Sequence, residues 1–117
     1  MYKNQEIGKI GENLATKYLS GIGYKILERN FSCMQGEIDI VAHTGKELVL
    51  VEVKTRTSLC YGRPAEAVTP VKQKHIEKAA KYYVYKKHLE KEYIRYDIVE
   101  VYIDKNKYEI NHIRQVM

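Results

Sequence analysis

The run Leu48-Val49-Leu50-Val51-Glu52-Val53-Lys54 constrains the fold more than any other part of this 117-residue chain. A strand alternates its side chains between two faces. Val49, Val51 and Val53 therefore share one face, and Leu50, Glu52 and Lys54 the other. Both faces are largely apolar, which is the pattern of a strand covered on both sides. Such a strand needs a layer above and a layer below, and helices supply them. Between Gln5 and Ile22, the residues Ile7, Gly11, Leu14, Ala15, Tyr18, Leu19 and Ile22 recur at helical spacing, before Gly23 breaks the pattern. Strands are predicted over Tyr24 to Phe31, with Tyr24, Ile26 and Glu28 on one face, over Glu37 to Ala42, and over Leu48 to Thr55. Thr44 to Glu47 is expected as a four-residue loop between the last two. Thr69-Pro70 reads as an N-cap and first helical residue of a second helix ending near Lys87. Ile94 to Ile103 and Tyr108 to Ile113 close the chain as strands. The predicted order is α-β-β-β-α-β-β, one α/β layered domain over residues 1–117.

The formal net charge of +5 is local rather than global. Seven Lys against two Glu between Lys72 and Lys91 account for all of it, and the remainder of the chain is neutral. This is the second helix, where Lys74, Lys78, Lys81 and His88 line up opposite Ile76, Ala79, Ala80 and Tyr83. Two acids cannot neutralise seven lysines within the helix, so the stripe suits a polyphosphate backbone. A solvated outer face is the competing reading.

Other classes are set aside more easily. The first residues lack the apolar segment of a secretion signal. The longest wholly aliphatic run, Leu48 to Val51, is far below the ~20 residues of a spanning helix. Cys33 and Cys60 form neither a metal-type spacing nor a disulfide framework, so a reduced cytoplasmic protein is expected. His43, His75, His88 and His112 are scattered, which argues against zinc.

The central hairpin carries the chemistry. With a four-residue loop, paired residues on its strands have numbers summing to 91, so Asp39 faces Glu52 and Glu37 faces Lys54. Like charges opposed in a sheet destabilise it, and burying them costs more unless something positive intervenes. A divalent cation preferring oxygen ligands, Mg²⁺ or Mn²⁺, is the natural compensator. A plain ion pair between Glu52 and Lys54 or Arg56 is the competing reading. Asp97 shares a face with Val99, Val101 and Ile103, and pairing with Arg95 or Lys54 accounts for it without a functional role.

Asp39 followed by Glu52-Val53-Lys54 on the next strand resembles the PD-(D/E)xK nuclease superfamily. Across more of the chain, Gly8-x-x-Gly11-Glu12-x-x-Ala15, Asn30-Phe31, Gly36-Glu37-Ile38-Asp39-Ile40-Val41, Val51-Glu52-Val53-Lys54-Thr55-Arg56 and Ala67-Val68-Thr69-Pro70-x-Lys72-Gln73 resemble the small bacterial YraN family. That family is likened to Holliday-junction resolvases. One departure is Ile38, which stands where the superfamily motif has proline.

The resemblance implies a restriction-endonuclease-like αβββαβ core with a central mixed sheet flanked by helices. It implies a metal-dependent endonuclease acting on DNA, branched or otherwise structured. Asp39 and Glu52 would be metal ligands, with the Val53 carbonyl completing the shell around Mg²⁺ or Mn²⁺. Lys54 would orient the attacking water, and the nearby carboxylates are expected to hold it charged. Glu12 of the first helix is an additional acidic candidate, or else a solvated flank residue. Arg56, Arg63, Lys72, Gln73, Lys74 and Lys78 are the candidates for nucleic-acid contact, Arg56 and Arg63 on a loop expected over Thr55 to Thr69. A homodimer is implied by resolvases, which make two symmetric cuts. A non-catalytic nucleic-acid-binding module on the same scaffold, or a protein-interaction module, remains open at this stage.

Overall fold

In a computed structural model, which describes residues 4–57 and 70–117, the chain runs α1 (Asn4–Gly21), β1 (Lys25–Cys33), β2 (Gly36–Thr44), β3 (Glu47–Thr57), α2 (Pro70–Lys87), β4 (Tyr93–Asp104) and β5 (Lys107–Ile113). The strands form one sheet in the order β1-β2-β3-β4-β5. Neighbours are antiparallel except β3 and β4, which run parallel with α2 between them in the chain. The α/β class holds. The order is that of a restriction-endonuclease-like αβββαβ core, with β5 added at the far edge.

β3 is the central strand, and Leu48 to Val51 are at most 3% exposed. Its alternation sorts the molecule into two cores. Val49 and Val51 pack with Ala15 and Leu19 of α1 and with Val99 and Val101 of β4. Leu48 and Leu50 pack with Ala79, Ala80, Tyr83 and Val84 of α2. Burying each large aliphatic side chain contributes about 1.5–3 kcal/mol, so the apolar run that identified the strand also holds both helices on it.

Two backbone details set the position of α1. A β-carbon on Gly11 would overlap the Thr55 side chain, so only glycine lets the helix approach β3 this closely. Gly23 (φ 99) ends the helix in the left-handed region, and the Tyr24 N–H donates to the Leu19 carbonyl at 3.0 Å. Ile22 lies beyond this end and is 43% exposed, so it is not part of the buried stripe as expected.

The predicted β2–β3 register is correct where the strands pair: Val41 opposes Leu50 and His43 opposes Leu48. The turn is shorter than expected. Thr44 pairs with Glu47, leaving Gly45 and Lys46 as a two-residue turn with Gly45 at φ 58. Pairing stops at Ile40 and Val51. The expected oppositions of Asp39 with Glu52 and of Glu37 with Lys54 therefore do not form. Ile38 packs on the α2 side and Ile40 on the α1 side, so alternation breaks at Asp39. A register shift between Ile26 and Glu28 does the same to β1. Ile26 packs on the α1 side, while Glu28 meets Lys87 of α2 at 3.7 Å, so the two do not share a face.

Thr69, expected as the helix N-cap, Cys60 and Arg63 lie outside the described residues, as does most of the loop expected before α2. Thr55, Arg56 and Thr57 are strand, not loop. Among the described residues, no helix is long and apolar enough to cross a membrane.

Candidate functional site

Where β2 parts from β3, Asp39 turns its carboxylate toward the neighbouring backbone. Its Oδ2 accepts the Val53 N–H at 2.8 Å. Burial, together with the charges of Glu52, Glu12 and Glu37, pushes its pKa up to about 6 against the effect of that hydrogen bond. One backbone donor does not offset the loss of water around a carboxylate.

Glu52 is held from two elements. Its Oε1 meets Lys54 Nζ at 3.1 Å and Lys72 Nζ, from the first turn of α2, at 2.7 Å. Its Oε2 is buried and has no hydrogen-bond partner among the described residues. A buried acceptor without a partner costs about 1–3 kcal/mol, and more when charged.

The two lysines titrate in opposite directions. Burial and the adjoining Lys72 lower the Lys54 pKa, although Glu52 pulls it up. Burial also works against the Lys72 charge, but Glu52 and Lys54 raise its pKa on balance. Glu52 favours the Lys54 charge, as expected, but burial and Lys72 outweigh it. Glu52 is shared, and the second ammonium was not anticipated.

Glu12 comes down to the sheet because Gly11 seats α1 against Thr55. It is not a solvated flank residue: its side chain is 14% exposed. Its Oε1 accepts Arg29 Nη2 at 2.9 Å, Arg29 Nε at 3.1 Å and Asn30 Nδ2 at 2.9 Å. Asn30 adopts φ 55, a conformation that asparagine tolerates better than most residues. Glu12, Asn30, Glu37, Asp39, Val53 and Thr55 line one cleft of about 400 Å³. Glu12 therefore adds to the negative potential at Asp39 while being fastened to β1.

These residues suit a hard divalent cation in one way and not in another. Among the described residues, no group of three His, Cys, Asp or Glu side chains could hold a metal between them. Asp39 and Glu52 instead offer one under-satisfied carboxylate each. Mg²⁺ is commonly bound by one or two carboxylates, with water and substrate phosphate supplying its other oxygens. The donor set fits that mode.

Residues 11–101 match the profile of the family described as "Uncharacterised protein family UPF0102". The chain belongs to UPF0102. This is the YraN family, so the sequence resemblance and the family match agree. A UPF0102 protein of Clostridium perfringens is 48% identical over 113 residues, covering 95% of this chain and 93% of the relative. One from Caldicellulosiruptor saccharolyticus is 46% identical over 100 residues, or 86% and 85% of the two chains. A third, from Caldanaerobacter subterraneus subsp. tengcongensis, is 46% identical over 110 residues, or 92% and 90%. The matched segment of this UPF0102 chain contains Glu12, Asp39, Glu52, Lys54 and Lys72.

The remaining candidates divide. Lys72 is at the centre, ion-paired to Glu52, rather than on an outlying basic surface. Gln73 is half-buried beside it, while Lys74 and Lys78 are exposed on the outer face of α2. Arg56 is half-buried on β3, and its Nε has no hydrogen-bond partner among the described residues. Asp97 pairs with Arg95, as expected, not with Lys54. Arg29 and Asn30 were not anticipated as supports of Glu12. Asn30-Phe31 in the family pattern was the available signal.

Proposed function

We propose that this UPF0102 protein is a divalent-metal-dependent endonuclease that hydrolyses phosphodiester bonds in DNA, structured or branched DNA included. The observation that carries this reading is the buried Oε2 of Glu52, without a hydrogen-bond partner among the described residues, beside an Asp39 whose pKa is raised to about 6, with two lysines closing the group. An arrangement kept only for stability leaves neither carboxylate so poorly satisfied.

Asp39, Glu52 and the Val53 carbonyl would hold Mg²⁺ or Mn²⁺. A bound ion of this kind polarises a phosphoryl oxygen and acidifies water. The chain's own residues do the rest. Asp39 must be ionised to bind a cation, and the Val53 N–H fixes its orientation. Lys54, ion-paired to Glu52 at 3.1 Å, is positioned to orient the attacking water. Lys72, kept charged by Glu52, offsets negative charge growing on the phosphate. Glu12 and its Arg29 clamp keep the cleft negative and its wall rigid. Lys74 and Lys78 present cations to the DNA backbone on the same helix.

The test is cleavage of duplex, flap and four-way DNA in Mg²⁺ or Mn²⁺, read on denaturing gels. Asp39→Asn and Glu52→Gln are expected to lose roughly 10²–10³-fold in rate, the scale of removing one electrostatic stabiliser. Undiminished cleavage by both variants, or none by the unaltered protein on any substrate, defeats the proposal.

A further inference from the structure

A second cavity, of about 270 Å³, opens on the α2 side of the same carboxylates. Glu37, Asp39, Glu52, Lys72 and His75 stand at its polar side, and its apolar walls include Ile38, Leu50, Ile76, Tyr96, Val116 and Met117. The chain beyond β5 is fastened there, because the Val116 N–H donates to the Tyr96 carbonyl at 2.9 Å. The cavity is thus enclosed by β2, β3, β4, α2 and the last residues.

The carboxylates at the polar side repel a phosphate that no cation bridges. A phosphate or a sugar does not belong against the apolar walls, since polar groups lose water there without gaining partners. A planar heterocycle does. At roughly 30 Å³ per water, the volume is that of about nine waters, sufficient for one nucleobase and too small for a base pair. Position favours the same occupant. A phosphodiester held at Asp39, Glu52 and Lys72 carries its adjoining nucleoside within reach of the opening. A base still paired and stacked in a duplex could not enter.

We infer that this cavity receives one unpaired nucleobase next to the phosphodiester held at Asp39, Glu52 and Lys72, with Tyr96 as a ring in its wall. The inference rests on the phosphodiester reading above and narrows its substrate class. The favoured DNA has an unpaired or extruded base beside the bond that is cut. Free nucleotides share the base but lack the flanking phosphates that Lys74 and Lys78 would contact.

The experiment uses 2-aminopurine, a fluorescent adenine analogue, in a single strand, in a one-base bulge and in a matched duplex. Ca²⁺ takes the place of Mg²⁺, and a sulfur-substituted, cleavage-resistant linkage stands beside the analogue, so that nothing is cut. Binding is expected to change the fluorescence severalfold for the single strand and the bulge, and to leave the matched duplex unchanged. Val116→Phe fills the cavity, and Tyr96→Leu removes its ring. Each variant, shown to be folded by its melting curve, is expected to lose the signal and roughly tenfold in affinity for the bulge, within the range of one stacked base. An unchanged signal in both folded variants, an equal response from the matched duplex, or a response to the free 2-aminopurine nucleotide alone overturns the inference. Failure of the two readings is distinguishable. Signal without cleavage in Mg²⁺ sinks the nuclease and leaves the base site standing. Cleavage without signal sinks the base site alone, and absence of any binding sinks both.

Discussion

Asp39 and Asp97 are carboxylates on β2 and β4, either side of β3, and they behave in opposite ways. Asp97 is the more buried of the two, at 1% exposure. Burial alone would raise its pKa, but hydrogen bonds from His112, Arg95 and the Gln115 N–H hold it below the usual carboxylate range. The partners are close: Arg95 at 2.9 and 3.0 Å, His112 at 2.7 Å and Gln115 N–H at 3.2 Å. Arg95 is itself held by Tyr24 and by Glu47. Asp39 has one backbone donor and three carboxylates for company, and its pKa rises to about 6. Burial is common to both residues; the supply of donors separates them. A satisfied buried acid stabilises the fold, and an unsatisfied one is kept for something else.

The largest expected effect breaks the satisfied side. Asp97→Ala takes from the buried Arg95 its bidentate partner, leaving only Glu47 as counter-charge, and takes from His112 its acceptor, and should cost about 3–5 kcal/mol. Urea unfolding measures this, and a loss under about 1 kcal/mol would show that the network contributes little. Asp39→Asn should do the opposite. The native state binds the Asp39 proton more tightly than the unfolded chain, so stability falls as pH rises from the ordinary carboxylate value of 3.8 through about 6. At pH 7 that shift amounts to about 3 kcal/mol. Asparagine keeps an acceptor for Val53 and removes the charge. The variant should therefore be more stable than the parent at pH 7 while failing to cut DNA, with that part of the pH dependence gone. Asp97 runs in the reverse sense, its contribution present near neutrality and lost on acidification. The smallest effect is a ranking. In NMR titrations, Glu52→Gln should lower the Asp39 midpoint most, Glu12→Gln less and Glu37→Gln least. Any other order would reassign the source of its field.

Much of this was legible in residues 37–54. Two-sided hydrophobicity made β3 central, and its period located Glu52 and Lys54 on one face. The pairing sum of 91 was right for every pair that forms. What local periodicity could not supply was the point where pairing ends. Asp39 takes a backbone N–H that a regular ladder would have given to a carbonyl, and this depends on how β2 twists away. Nor could periodicity bring Lys72 to Glu52. That contact joins residues 20 apart through a helix start, and Pro70 was its only local sign. The downward shift at Lys54 follows from burial and from Lys72, a neighbour that strand spacing does not contain. Glu12 was ambiguous for a similar reason: helix phase gave its angle, but Gly11 against Thr55 gave its depth.

The parallel pairing of β3 with β4 has a consequence for how the chain is made. Ribosomes deliver β1, β2 and β3 first, as a meander whose pairings are close in sequence. Until α2 and β4 have followed, β3 is an outer strand, and Leu48 to Val53 offers unpaired backbone and apolar side chains to any other nascent chain. The strand bearing Glu52 and Lys54 therefore keeps one edge unpaired until β4 arrives. Its central place in the finished sheet and its hazard during synthesis come from the same two-sided hydrophobic run.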